Sequence, residues 1–185
     1  MARVLVPLAQ GCEELEAVTI IDLLRRAGIE VVSAGLDDHP IAASRGVRLI
    51  PDTTLDEAIE QDFDMIALPG GMPGATHLKN DPRIIALLQK MGRAGKYTCA
   101  ICAAPIALAQ AGLLAGKAAT SYPGFIDKMN LPDVAYRNDP VVKDGKVITS
   151  RGPGTAMDFA LELIEVLAGK AKRDEVEAGL QRPGR

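Results

Sequence analysis

At 185 residues the chain is long enough to bury a full core and is most simply one domain spanning 1–185. It is 48% hydrophobic but only 3% aromatic and has no Trp, so that core must be built from Ala, Val, Leu and Ile. A net charge of −3, with no basic run and no aromatic-basic interleave, argues against nucleic acid or an anionic membrane as partner.

Residues 3–9 form a strand candidate, too short for a signal-peptide core. After a turn at 10–12, apolar residues at Leu15, Val18, Ile20, Leu23 and Leu24 predict a helix over 13–27 that ends at Gly28. A Val-rich strand at 30–35 completes a right-handed βαβ unit. Two short strands are expected within 41–50, around Arg45-Gly46. Thr54-x-x-Glu57 resembles a capping box opening a short helix. A strand over 63–68 ends at Pro69-Gly70-Gly71, and Pro82 starts a helix running to about Ala94.

Residues 97–102 read as a buried strand running straight into a helix, with Cys102 at the turn and Pro105 in the first helical turn. A short strand is expected over 118–121. Residues 141–150 read as a hairpin with a type I′ turn at Asp144-Gly145. Thr155-x-x-Asp158 reads as an acidic cap opening a helix to about Leu167, followed by a last helical piece over 170–178 and a loose tail. No apolar stretch approaches the roughly 20 residues needed to span a bilayer. The alternation predicts an α/β domain with a mostly parallel sheet between helices. In such sheets the turns at 10–16, 69–74, 102–105 and 151–155 all follow strands, so they converge on one crevice.

Three cysteines are an odd number with no disulfide framework, which suits reduced thiols in the cytoplasm. Cys99-x-x-Cys102 is not a thioredoxin-like pair. Along a strand the two Cα atoms lie about 10 Å apart, and a disulfide needs less than about 7 Å. Cys99 is expected to be buried packing. His39 and His77 lie in loops without ligand spacing, so no metal is expected. Neither a G-x-G-x-x-G after a strand nor a phosphate-binding loop is present, and no cofactor is expected.

Cys102 is the candidate reactive residue. At a strand-to-helix turn the free N–H groups and the helix dipole stabilise a thiolate and lower its pKa. The competing reading is a cysteine packed as a small hydrophobe. Glu13 and Glu14 suit the helix dipole. Glu16, if it faces the same crevice, repels a thiolate, so one of the pair must keep a proton. The N–H groups of Gly71 and Ala103 could form an oxyanion hole.

The segments Glu13-Glu-Leu-Glu16-Ala-Val, Leu68-Pro-Gly-Gly-Met-Pro-Gly-Ala75, Ala100-Ile-Cys-Ala-Ala-Pro105 and 149–160 together resemble the DJ/ThiJ/PfpI superfamily. The branch is that of the Parkinson's-associated protein deglycase and its bacterial relatives. The resemblance covers nearly the whole chain. It implies a flavodoxin-like three-layer α/β/α sandwich and a homodimer. It implies that Cys102 is the elbow cysteine, Glu16 its protonated acid, and Gly71 and Ala103 the oxyanion donors. Gly70, Arg26, Arg45 and Tyr122 then match substrate- or anion-binding positions, with the two arginines near the dimer interface. The implied activity is glyoxalase or deglycase chemistry on small α-oxoaldehydes or glycated protein side chains. The implied alternative is redox sensing or chaperoning through oxidation of Cys102 to sulfinate. One position departs: some members carry a His where this chain has Tyr122, a poor base near neutral pH. Cys12 is a second difference, either a second oxidisable thiol facing the crevice or a rim residue.

Overall fold

The computed structural model describes residues 1–183. The first strand, β1 (Arg3–Leu8), is buried at every position but its first, as a continuous apolar run in a covered parallel sheet should be. Helix α1 (Glu14–Arg26) starts at Glu13, whose carboxylate accepts from the Glu16 N–H at 2.9 Å. Strand β2 (Glu30–Gly35) returns parallel to β1, closing the expected βαβ unit. The ribbon β3 (Ile41–Ala42) and β4 (Arg48–Leu49) lies outside the main sheet. Strand β5 (Thr53–Thr54) adds an unforeseen edge beside β2. Helix α2 (Leu55–Ala58) is capped by Thr54. The predicted capping box is only half made, because the Glu57 carboxylate takes the Thr53 hydroxyl instead.

Strand β6 (Met65–Leu68) is entirely buried and begins two residues later than the apolar run suggested. Helix α3 (Gly74–Asn80) was not expected: its seven residues carry too short a pattern to show a period, with only Ala75 and Leu78 as buried large or small apolar side chains beside Gly74. Asp81 ends α3 and caps α4 (Pro82–Arg93), its carboxylate accepting from the Arg83 N–H at 2.9 Å. Strand β7 (Tyr97–Ile101) leads to α5 (Pro105–Gln110). The strand expected over 118–121 shrinks to β8 (Ala118–Ala119), paired with β9 (Ala135–Tyr136) in a separate small sheet.

Strands β10 (Val141–Asp144) and β11 (Val147–Ser150) form the predicted hairpin. Its two loop residues are Gly145 and Lys146, and only Gly145 takes a positive φ, +61°. A type I′ turn needs positive φ at both, so that expectation fails. Helix α6 (Ala156–Ala168) is not capped by Thr155, whose hydroxyl instead bonds Gly152 and Ser150. Asp158 instead meets Arg182 at 2.9 Å. That contact ties down part of the tail expected to be loose after α7 (Lys170–Gly179); its last two residues lie outside the described range.

The main sheet runs β10-β11-β7-β6-β1-β2-β5, parallel except for β10. Counting its five long parallel strands by order of appearance gives 2-1-3-4-5, the flavodoxin-like order. Helix α1 packs on α6 and α6 on α7, while α3, α4 and α5 pack on one another. These two groups flank the sheet. No described helix is long and apolar enough to cross a membrane.

Candidate active site

The turns after β1, β6, β7 and β11 meet at the carboxyl ends of their strands, as the α/β topology requires. A cleft of about 400 Å³ opens there, with Glu13, Gly71, Met72, Cys102, Ala103 and Pro153 contributed by those four turns. Ser44, Arg45, Tyr122 and Phe125 complete its rim.

Cys102 sits between β7 and α5 with φ +64°, a left-handed conformation that costs a non-glycine residue about 1–3 kcal/mol and persists only where its surroundings impose it. Two backbone hydrogen bonds do so. Its N–H donates to Ser150 O at 2.9 Å, and its carbonyl accepts from the Tyr122 N–H at 2.8 Å. The residue is 8% exposed, at the floor of the cleft.

The expectation of a lowered thiol pKa is reversed. Burial is the largest influence and the Glu16 carboxylate the next, and together they push the Cys102 thiol up to about 12. The N–H groups of Gly71 and Ala103 donate toward the sulfur and oppose that rise without cancelling it. The site is drier than a surface helix terminus, so desolvation outweighs the backbone dipoles.

Glu16 is fully buried. Its Oε2 accepts from the Gly70 N–H at 2.8 Å, the carboxyl group interacts with the Cys102 thiol, and Oε1 has no hydrogen-bond partner among the described residues. Burial raises its pKa to about 7, against the pull of Gly70 and Cys102. When Glu16 holds a proton, its charge no longer opposes the thiolate, and Gly71 and Ala103 remain as donors. Near neutrality it is therefore Glu16 that titrates, while the Cys102 thiol keeps its own proton.

Gly70 makes the contact possible. A Cβ there would lie 2.6 Å from the Cys102 Cβ and 2.9 Å from Glu16 Oε2. Gly71, at φ +87°, has no room either, since a Cβ would lie 2.3 Å from the Glu13 nitrogen.

Tyr122 lies on the rim, 48% exposed, with its ring edge-on to Phe125 at 6.3 Å. Arg45 reaches the rim through a residue that sequence reasoning assigned only to the helix dipole. The Glu14 carboxylate accepts from the N–H groups of Arg45 at 2.9 Å and Val47 at 3.3 Å and from the Ser44 hydroxyl at 3.1 Å. Burial works against ionisation of Glu14, but these donors outweigh it and hold its pKa below the usual value. The visible signal was Ser44-Arg45-Gly46, a loop whose backbone donors needed an acceptor.

Arg26 stands apart from the cleft. It pairs with Asp22 at 2.7 Å in the last turn of α1, about 15 Å along the helix from Glu16 at 1.5 Å per residue. Cys12 is fully buried, not on the rim, under the segment that carries Gly74. Burial, then the charges of Glu14, Glu13 and Glu16, push its thiol up to about 12. Cys99 is buried packing, as expected, and all three cysteines are free. Asp37, Asp38 and His39 do bring three ligand-type atoms within 4.8 Å, but all three residues are exposed and none lines the cleft.

The chain is 45% identical over 178 residues to Protein dj-1beta of Drosophila melanogaster, covering 95% of each. The crystal structure of that protein superposes with a TM-score of 0.93 at 44% identity, over 99% of both chains. The structure of oxidized Toxoplasma gondii DJ-1 gives 0.94 at 40% identity over the full length of both. The chain is 37% identical over 175 residues to the glutathione-independent glyoxalase DJR-1.2 of Caenorhabditis elegans, covering 95% of this chain and 92% of that protein. The family model described as DJ-1/PfpI matches residues 2–166. With the flavodoxin-like strand order and the four converging turns, these matches establish that the chain belongs to the DJ-1/PfpI family.

Proposed function

We propose that this protein, acting as one domain of this type, converts small α-oxoaldehydes or their adducts on protein side chains to hydroxy acids through Cys102. The observation that carries the reading is the buried Glu16–Cys102 pair, a nucleophile and a proton carrier in contact at the floor of a cleft. The glyoxalase among its relatives supports the substrate class.

For methylglyoxal the steps balance without an external oxidant. Glu16 takes the thiol proton as the Cys102 sulfur adds to the aldehyde carbon, and the N–H groups of Gly71 and Ala103 stabilise the developing oxyanion. Glu16 protonates that oxygen, giving a hemithioacetal. A proton then leaves the former aldehyde carbon and another reaches the ketone carbon, so the first is oxidised to a thioester and the second reduced to an alcohol. Water cleaves the thioester, releasing lactate and restoring the thiol. Gly70, Arg45 and Tyr122 shape the binding space, and Arg26 belongs to the reading only through a second copy of the chain. Lactate production by Cys102→Ser should fall to the uncatalysed background. A variant as fast as the unmodified protein would remove the reading.

A second reading rests on the oxidized state of the T. gondii relative. Here the Cys102 thiolate takes two oxygens, reducing two peroxide molecules to water, and Glu16 donates to the sulfinate. Mass spectrometry after mild peroxide should place both oxygens on Cys102; a protein oxidised elsewhere first would dismiss it.

The same reading makes the molecule a homodimer. Leu15 and Val18, half-exposed at i, i+3 on α1, and the half-exposed Val47, whose N–H donates to Glu14, are apolar side chains suited to an interface with a second copy.

A further inference from the structure

A second cleft of similar size, about 410 Å³, lies beside the one over Cys102. The two share Tyr122 and Pro153. The Tyr122 ring lies close over Gly152, where a Cβ would come within 3.1 Å of its Cδ2, and edge-on to Phe125. Tyr122 thus stands as the wall between the clefts.

The second cleft has a different charge from the first. Over Cys102, Arg45 is accompanied by Glu13. Beyond Tyr122 the lining includes Arg151, Asn138 and Thr155 but no Asp or Glu. Among the described residues the Arg151 guanidinium forms no ion pair; its one hydrogen bond, from Nη1 to Asn138 O, is 3.2 Å. Four further N–H donors of the fork remain for a ligand.

The register of the sheet sets the distance. Ser150 pairs with Ile101 across the β11–β7 ladder, and the Cys102 N–H donates to Ser150 O. Arg151 is therefore the residue opposite Cys102 one step beyond the ladder, with neighbouring strands about 4.8 Å apart. The backbones that carry the sulfur and the guanidinium are thus neighbours, and a substrate passing the Tyr122–Pro153 boundary would engage both.

We infer that the cleft beyond Tyr122 is a subsite for an anionic tail, with Arg151 as its specificity-determining residue, so that the substrates favoured by this protein are α-oxoaldehydes or aldehyde adducts carrying a carboxylate or phosphate. The inference rests on the Cys102 chemistry proposed above. A guanidinium can take a planar carboxylate through two parallel N–H donors, and Asn138 and the Tyr122 hydroxyl can add further ones. The neutral cleft over Cys102 holds the reacting carbons, and Arg151 selects what is attached to them.

The test compares two α-oxoaldehydes of equal size, one carrying a carboxylate two methylenes beyond its ketone and one the corresponding primary amide. The intact protein should prefer the carboxylate in kcat/KM by roughly tenfold or more, the range of a charge-assisted hydrogen bond, with the difference in KM. Arg151→Gln should abolish that preference, Arg151→Glu reverse it, and Arg151→Lys keep part of it. A preference that is absent from the intact protein, or that survives in both Arg151→Gln and Arg151→Glu, overturns the subsite while leaving the Cys102 chemistry standing. If the intact protein turns over neither compound, the Cys102 reading itself falls. A phosphate-tailed compound run beside the carboxylate distinguishes the two anions.

Discussion

Glu16 is fully buried beside Cys102, and its burial should be visible in stability as well as in activity. Burial raises the folded-state pKa of Glu16 to about 7, above the value near 4.5 expected for the unfolded chain. Between those values the folded state binds more protons than the unfolded, so stability is fullest below the lower value and falls as pH rises through the window. The loss is on the order of 3 kcal/mol by pH 8 at about 1.4 kcal/mol per unit. Glu16→Gln imitates the protonated acid, since its amide oxygen can take the Gly70 N–H and its NH₂ can face the sulfur. Urea unfolding at pH 5 and pH 8 should show most of that loss in the native protein and a flat profile in the variant. Equal losses in both would mean that Glu16 is not the titrating group. At this scale the motif segments already pointed to the residues, because a family-specific run names positions directly. The sign of the thiol shift was not legible: free N–H groups near a turn can be read from sequence, but desolvation depends on what the rest of the chain places over the sulfur.

The loop between β3 and β4 owes its place to one side chain. Glu14 gathers the Ser44 hydroxyl and the Arg45 and Val47 N–H groups, and so carries Arg45 to the rim. Glu14→Ala removes the acceptor and leaves partly buried donors unmatched. It should cost about 1–3 kcal/mol in chemical denaturation, with the amides of Arg45 and Val47 losing hydrogen-exchange protection first. Unchanged protection at those two amides would show that the loop holds itself. The long elements β1, α1, β2, α4 and β7 were legible because their apolar period is set by their own residues. The pieces β5, α3 and β9 were not. Each is too short for a period to emerge, and each exists because a partner element supplies what its own sequence lacks.

In the whole molecule α1 serves two surfaces at once. Its buried face carries Glu16 into the site, and its outer face exposes Leu15 and Val18. Sedimentation should show a dimer, and Val18→Asp should shift it to monomer while the helical signal in circular dichroism is retained. A native protein that sediments as a monomer would remove the homodimer from the proposal. Composition, periodicity and the order of strands and helices determined by themselves that this is a mostly parallel α/β molecule whose working turns lie at one end of its sheet. Those properties follow from local backbone preference and from the handedness of strand-helix-strand crossovers, which need no knowledge of distant contacts. Only the tertiary structure decided that Cys12 is sealed away, that Glu14 carries Arg45, and that Arg151 lines a cleft adjoining the one over Cys102. Each depends on residues far apart in the chain sharing a few ångströms of space, where burial and hydrogen bonding outweigh what any single segment prefers.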